Sequence, residues 1–193
     1  MNIAIVAYTG GNTQSVLFAL ERIGATARVT ANAAELQAAD YVIFPGVGAA
    51  APAMAYLRQQ GLDRVIRELK QPVLGICLGM QLLCGHLEEG DVQGLEIFDE
   101  PVLRFRHGEK VPHMGWNRLQ ALSGRLFDGV PEGSYAYFVH SYYVPVCPPA
   151  IAVAGYGTDF SAALQQDNFY AVQFHPEKSG AVGEQVLNNF LTL

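Results

Sequence analysis

The chain has 193 residues, half of them apolar, and carries 12 Lys and Arg against 18 Asp and Glu for a net charge of −6; that length supports one buried core, and no Pro/Gly/Ser-rich or charge-rich linker divides it. Its apolar runs fall far short of the roughly 20 residues that span a bilayer, no basic leader precedes an apolar stretch, and no basic block is present to neutralise a run of phosphates. These features argue against a membrane or a nucleic acid as partner and point to a soluble, cytoplasmic protein with a single domain over residues 1–193.

The first half alternates short apolar runs with helical patterns, the sign of βαβ units around a parallel sheet buried on both faces. Residues 2–7 (NIAIVA) predict the first strand. A turn at 9–12 (TGGN) leads into a helix whose Val16, Leu17, Leu20 and Ile23 form an apolar stripe, with Gly24 where a left-handed cap belongs. Residues 28–30 and 41–44 supply further strands, 57–69 carry helical spacing interrupted at Gly61, and 72–76 return to the sheet. Between residues 95 and 165 the runs become short, aromatic and closely spaced, which predicts antiparallel strands and hairpins and so a mixed sheet. A late strand at 169–174 and a closing helix at 181–191, with Val182, Val186, Leu187, Phe190 and Leu191 on one face, complete the chain.

Cys77, Cys84 and Cys147 form no short-spaced pair, so neither a disulfide framework nor a zinc site is signalled, and a reducing compartment fits. Cys77 stands in Gly75-Ile76-Cys77-Leu78-Gly79, between a strand and a helical run. Glycines two residues to either side of a nucleophile suit a sharp strand-to-helix turn, where a side chain would strike the neighbouring backbone. At that apex the helix N-terminus favours thiolate over thiol. A buried structural cysteine between packing glycines is the competing reading of this pentapeptide alone.

A thiolate nucleophile needs a base, and His175 in Gln173-Phe174-His175-Pro176-Glu177 is the candidate. Pro176 biases His175 toward an extended backbone, in which residues two apart share a face, so Glu177 is expected to orient the imidazole. Acyl transfer also needs oxyanion donors. The N–H groups of Val47, in the PGVG run at 45–48, and of Leu78 are the candidates, with an ordinary βα turn as the plain alternative for PGVG. His86, His107, His113 and His140 lack metal-ligand spacing and read as surface or local hydrogen-bonding residues, while Cys84 and Cys147 read as packing residues. Tyr135, Tyr137, Phe138, Tyr142 and Tyr143 read equally as core strand or as a gate to an active-site mouth.

Together these residues resemble the class I (triad) glutamine amidotransferases nearly end to end, through PGVG at 45–48, PVLGICLGMQLL at 72–83, VPHMGWN at 111–117, YFVHSYY at 137–143 and QFHPEKS at 173–179. The cysteine and His-Pro-Glu motifs mark the class. PGVG and PHMGWN resemble, within it, the glutaminase subunits that serve a separate synthase in histidine biosynthesis. The resemblance implies an α/β fold, flavodoxin-like, with a mixed, mostly parallel twisted sheet flanked by helices. It implies hydrolysis of glutamine through a thioester on Cys77, and passage of the ammonia to a (β/α)8-barrel synthase subunit in a heterodimer, with no metal or cofactor. It places Gly46, Gly48, Gln81, Ser141 and Tyr142 around glutamine, and Asn12, Met114, Trp116 and Lys178 at the partner interface. Ala7 stands where similar proteins are usually acidic, and Thr9-Gly10-Gly11 replaces their more common sequence. Another cysteine hydrolase that needs no partner, and a catalytically silent scaffold subunit, stay open as rivals.

Overall fold

The computed structural model of the chain describes residues 1–9, 12–106 and 110–193. Two positions of the expected TGGN turn, Gly10 and Gly11, and His107 lie outside the described residues. The first strand, β1 (Ile3–Val6), is buried along its whole length. Its side chains alternate between two cores: Ile3 and Ile5 enter one, Ala4 and Val6 the other. A strand apolar on both faces belongs inside a parallel sheet covered on both sides. Helix α1 (Thr13–Arg22) follows, burying Val16, Ala19 and Leu20, and Gly24 takes the left-handed φ of 76° expected after its end.

Next come β2 (Ala27–Thr30), α2 (Ala33–Gln37) and β3 (Tyr41–Gly46). The short α2 has too few residues for an apolar period; its start is fixed by the Asn32 side chain, which accepts from the N–H groups of Ala34 and Glu35 at 2.9 and 3.2 Å. The single helical pattern at 57–69 resolves into α3 (Ala50–Gln59) and α4 (Leu62–Glu68), divided at Gly61 with φ 70°. Helix α3 begins well before the expected start, because the alanine-rich stretch ahead of Leu57 favours helix and Pro52 falls in its first turn.

Strand β4 (Val73–Cys77) runs straight into α5 (Leu78–Leu82). Three two-stranded ribbons follow, formed by β5 (His86–Leu87) with β6 (Val92–Gln93), β7 (Leu103–Arg104) with β10 (Tyr142–Tyr143), and β8 (His113–Arg118) with β9 (Tyr135–His140). The chain ends with β11 (Ala150–Gly155), β12 (Asp159–Gln166), β13 (Phe169–Val172) and α6 (Gly180–Phe190).

Among the described residues the central sheet has seven strands, in the order β11-β12-β13-β4-β3-β1-β2. The pairs from β13 through β2 are parallel and those among β11, β12 and β13 antiparallel. The mixed, mostly parallel sheet matches the expectation, except that the middle hairpins form their own ribbons instead of joining it. Helices α1 and α6 cover one face, packing Leu20, Val186 and Phe190 against Ile5 and Ile76. Helices α2 to α5 cover the other, packing Leu36, Leu57, Ile66 and Leu82 against Phe44 and Val73. No helix among the described residues is long and apolar enough to cross a membrane.

Candidate active site

Three neighbouring parallel strands, β3, β4 and β13, end on one edge of the sheet, and the residues at or just past their ends meet there. Strand β3 leads to Val47 and Gly48, β4 ends on Cys77, and the segment after β13 carries His175. Ligands of open α/β sheets bind outside these carboxyl ends. Pro45 and Gly46, expected in a loop after β3, are still strand: they pair with Ile76 and Cys77 because β4 continues alongside.

Cys77 has φ 53° and ψ −107°, a conformation costly for a side-chain-bearing residue, and α5 starts at the next residue. The flanking glycines explain why the turn closes. A Cβ on Gly79 would run into the Phe44 carbonyl oxygen, and one on Gly75 would come within 2.7 Å of Leu83 and 3.0 Å of the Met80 nitrogen. The elbow of the sequence is therefore an elbow in space.

His175 is extended, with φ −99° and ψ 96°, as a residue before proline should be. Strand β13 has already ended, however, and Pro176–Lys178 form a 3-10 turn, so the carboxylate reaches the ring across a strand-to-turn corner and not along one face of a strand. His175 Nδ1 lies 2.7 Å from Glu177 Oε1, both side chains being almost fully buried. The carboxylate can only accept, so Nδ1 carries the hydrogen and Nε2 is left to the thiol side. Nε2 has no hydrogen-bond partner among the described residues. Burial pulls the His175 pKa down, but the nearby Cys77 and the hydrogen bond and charge of Glu177 outweigh it and push it up to about 10. Cys77 is therefore near enough to the imidazole to influence its charge.

A residue without an expected role stands behind the sulfur. Gln173 donates from Nε2 to Cys77 Sγ at 3.7 Å and accepts at Oε1 from Gln81 Nε2 at 3.0 Å. Cys77 Sγ also approaches the Val139 carbonyl at 3.7 Å. Gln173 is legible in the sequence only as two residues before the histidine, on its side of the sheet.

A cavity of about 330 Å³, large enough to hold an amino acid, opens over Cys77. Leu78 and Gln81 form its floor with the cysteine, Val47, Gly48 and Glu89 one wall, and Val139, His140, Ser141 and Tyr142 another. Gly46 does not line it: the Tyr8 hydroxyl and Leu78 fill the space its Cβ would need, which makes it a packing position. Gly48 does line it, with φ 102°. Glu89, which no motif signals, accepts from the Ala50 N–H at 2.9 Å with Oε2, and burial raises its pKa against that bond. Its position gives the cavity an anionic group.

Of the expected partner contacts, three come together. Met114 and Trp116 are 63% and 56% exposed on the outer face of the β8–β9 ribbon. Trp116 packs edge-on against Tyr137 at 6.0 Å, and Lys178 Nζ lies 5.9 Å from the centre of the same ring. Asn12 sits at the start of α1, whose Arg22 reaches the Glu177 carbonyl at 3.5 Å. His86 pairs with Asp91 on the surface. The aromatic run divides: Phe138 and Tyr143 are core, Tyr135 and Tyr137 face outward, and Tyr142 borders the cavity. All three cysteines are free, with Cys84 wholly buried beyond the end of α5.

Comparison with known proteins identifies the family. The glutamine amidotransferase class-I family matches residues 4–193. The imidazole glycerol phosphate synthase subunit HisH of Bacteroides thetaiotaomicron is 56% identical over 196 aligned residues, covering 100% of both chains. Its counterpart from Yersinia pseudotuberculosis is 46% identical with the same coverage. A crystal structure of a glutamine amidotransferase has a TM-score of 0.76 at 20% identity, covering 98% of this chain and 97% of that one, a likeness of fold.

Proposed function

The chain belongs to the class-I glutamine amidotransferases and, within them, to the HisH subunits of imidazole glycerol phosphate synthase; from that premise we propose that Cys77, His175 and Glu177 release ammonia from glutamine for a (β/α)8-barrel synthase. The observation that carries this reading is the buried His175, held at Nδ1 by Glu177 with Nε2 unpartnered among the described residues, and close enough to Cys77, which lines a cavity able to hold an amino acid, to be influenced by it.

The Cys77 thiolate attacks the side-chain carbonyl carbon of glutamine, and the developing oxyanion is held by the Leu78 N–H at the start of α5 and by the Val47 N–H. As the C–N bond breaks, the His175 imidazolium gives its proton to the departing nitrogen, leaving a thioester on Cys77. Neutral His175 then takes a proton from water, which attacks the thioester and frees glutamate. Glu177 holds the ring throughout. Gln81, Ser141 and Tyr142 seat the amino-acid end, Gly48 lets the backbone border it, and the Glu89 carboxylate supplies the counter-charge for the α-ammonium. Gly46 contributes by its packing.

The barrel docks on the outer face of the β8–β9 ribbon, where Met114 and Trp116 supply apolar area and Lys178 pairs with an acidic residue of the partner. Asn12 extends this contact from the start of α1. Met114 lies opposite Val139 across the ribbon, and Val139 borders the cavity, so this face adjoins the mouth. The setting is the cytoplasm, in which free thiols persist.

The test is glutamate release by the chain alone and with the barrel synthase and its nucleotide ligand. Turnover should be low alone and rise strongly in the liganded complex; equal rates would favour a self-sufficient cysteine hydrolase. Cys77→Ala should abolish release while leaving the complex intact, and retained turnover would mean that the nucleophile is another residue.

A further inference from the structure

Two histidines outside the triad form a single hydrogen-bonded line behind one wall of the cavity. His113 on β8 and His140 on β9 are register partners across the ribbon, 4% and 5% exposed. His113 Nδ1 lies 2.8 Å from His140 Nε2, and His140 Nδ1 lies 2.7 Å from the Tyr142 carbonyl oxygen. At the other end, Asn117 Nδ2 is 3.3 Å from His113 Nε2 and 2.8 Å from the Gly155 carbonyl oxygen.

The hydrogens on this line follow from its two ends independently. The Tyr142 carbonyl can only accept, so His140 carries its hydrogen on Nδ1. The Asn117 amide is oriented by Gly155, which accepts from Nδ2, and by the Arg118 N–H, which donates to Oδ1 at 2.8 Å. His113 Nε2 therefore faces a donor and is bare. Its hydrogen is on Nδ1 and points to His140 Nε2, the acceptor that the first end already required. Both ends give the same two tautomers with both rings neutral. Burial acts in the same direction: it lowers the His113 pKa to about 4, and it lowers that of His140 to about 3 despite the Tyr142 bond, with His113 and His175 adding to the shift.

The carbonyl that ends the line also accepts from Gln81 Nε2 at 3.0 Å. Gln81, His140, Ser141 and Tyr142 all line the cavity. The His140 ring has both nitrogens committed, so it offers the cavity no proton. The opposite face of β8 carries the exposed Met114 and Trp116.

We propose that His113 and His140 are positioning residues: their directed line from Asn117 to the Tyr142 carbonyl fixes the Ser141–Tyr142 wall against which glutamine is seated, and fastens that wall to the strand presented to the synthase. This rests on reading the cavity as the glutamine site. It acts on binding and not on the chemical step, because neither ring reaches the reacting atoms through a free nitrogen.

The first test needs no substitution. Multiple-bond 1H–15N spectra of the 15N-labelled protein should show His113 and His140 as neutral Nδ1–H tautomers at pH 7; an Nε2–H tautomer or an imidazolium at either position overturns the proposal. The second test uses inactivation of Cys77 by 6-diazo-5-oxo-L-norleucine in the complex with the nucleotide-bound synthase, read as a half-saturation concentration and a limiting rate. His113→Leu removes the donor, whereas His113→Asn keeps an amide hydrogen near the place of Nδ1. The first substitution should raise the half-saturation concentration about five- to tenfold at a limiting rate close to that of the parent protein, and the second should stay within about twofold, the scale of one lost hydrogen bond. Equal effects of the two, or a loss confined to the limiting rate, would sink the proposal. If His113→Leu does not fold, the spectra decide. Failure of the unaltered protein to be labelled at Cys77 in that complex is a different result, which would count against the glutaminase reading and leave the tautomers standing.

Discussion

Glu177 has no line to the substrate, yet the chemistry at His175 depends on it. Its carboxylate fixes the ring at Nδ1 and, with Cys77, holds the His175 pKa at about 10 against the pull of burial. Glu177→Gln keeps the shape and removes the charge. The His175 titration, followed by NMR, should then move to lower pH, and glutaminase turnover in the liganded complex should fall by about 10² or more, the scale of general acid–base catalysis. An unmoved titration would show that the carboxylate does not set the state of the ring. The linkage has a definite sign. His175 is raised above its ordinary 6.5, so its favourable interactions contribute stability that is complete below that pH and lost as pH climbs through about 10. The stability gap between Glu177→Gln and the parent protein should accordingly be widest on the acid side and close as pH rises across that window, as denaturant titrations at several pH values would register.

At the scale of elements, the β8–β9 ribbon has two faces with different duties. Alternation along β8 sends His113 inward and Met114 and Trp116 outward, while β9 sends Phe138 and His140 inward and Tyr135 and Tyr137 outward. An aromatic, apolar face flanked by Lys178 has the composition of an interface core. Trp116→Ala or Lys178→Ala should therefore weaken assembly with the barrel by about 1–3 kcal/mol for the tryptophan, in the range of an interface anchor, and by less for the lysine. Titration calorimetry would measure this, and unchanged affinity in both would move the interface elsewhere. The same ribbon marks the limit of what the sequence discloses. The parallel strands were legible because continuous apolar runs such as 73–76 have one economical use, and the elbow because Gly75 and Gly79 bracket a cysteine. The His175–Glu177 spacing was legible too, although its backbone is a 3-10 turn and not the extended one assumed. Helix α2 was hidden because a single cap, Asn32, and not a period defines it. Gln173 and Glu89 were hidden because their roles arise from strands and loops distant in sequence that meet only in space. The pairing of His113 with His140 was beyond reach for the same reason, since it needs the ribbon's register.

For the molecule as a whole, position along the sheet separates chemistry from scaffold. The site lies where β3, β4 and β13 end side by side, and the ribbon beside it is tied to β11 at one edge of the sheet through the Asn117–Gly155 bond. The other edge is β2, with α2 lying on the same half of the molecule, where Arg28 and Glu35 pair in solvent. A barrel seated over Met114 and Trp116 covers the first edge and leaves the second in water. Hydrogen exchange should report this as a gradient. The buried strands β1, β3, β4 and β13 should open only with global unfolding in both free and bound protein. The ribbon, which pairs with no third strand among the described residues, should exchange faster when free and gain protection in the complex. Strand β2 and helix α2 should exchange alike in both states. Protection gained at β2 and absent from residues 113–118 and 135–140 would place the partner on the far edge, away from the mouth above Cys77, and ammonia released there would then meet water before it met a second active site.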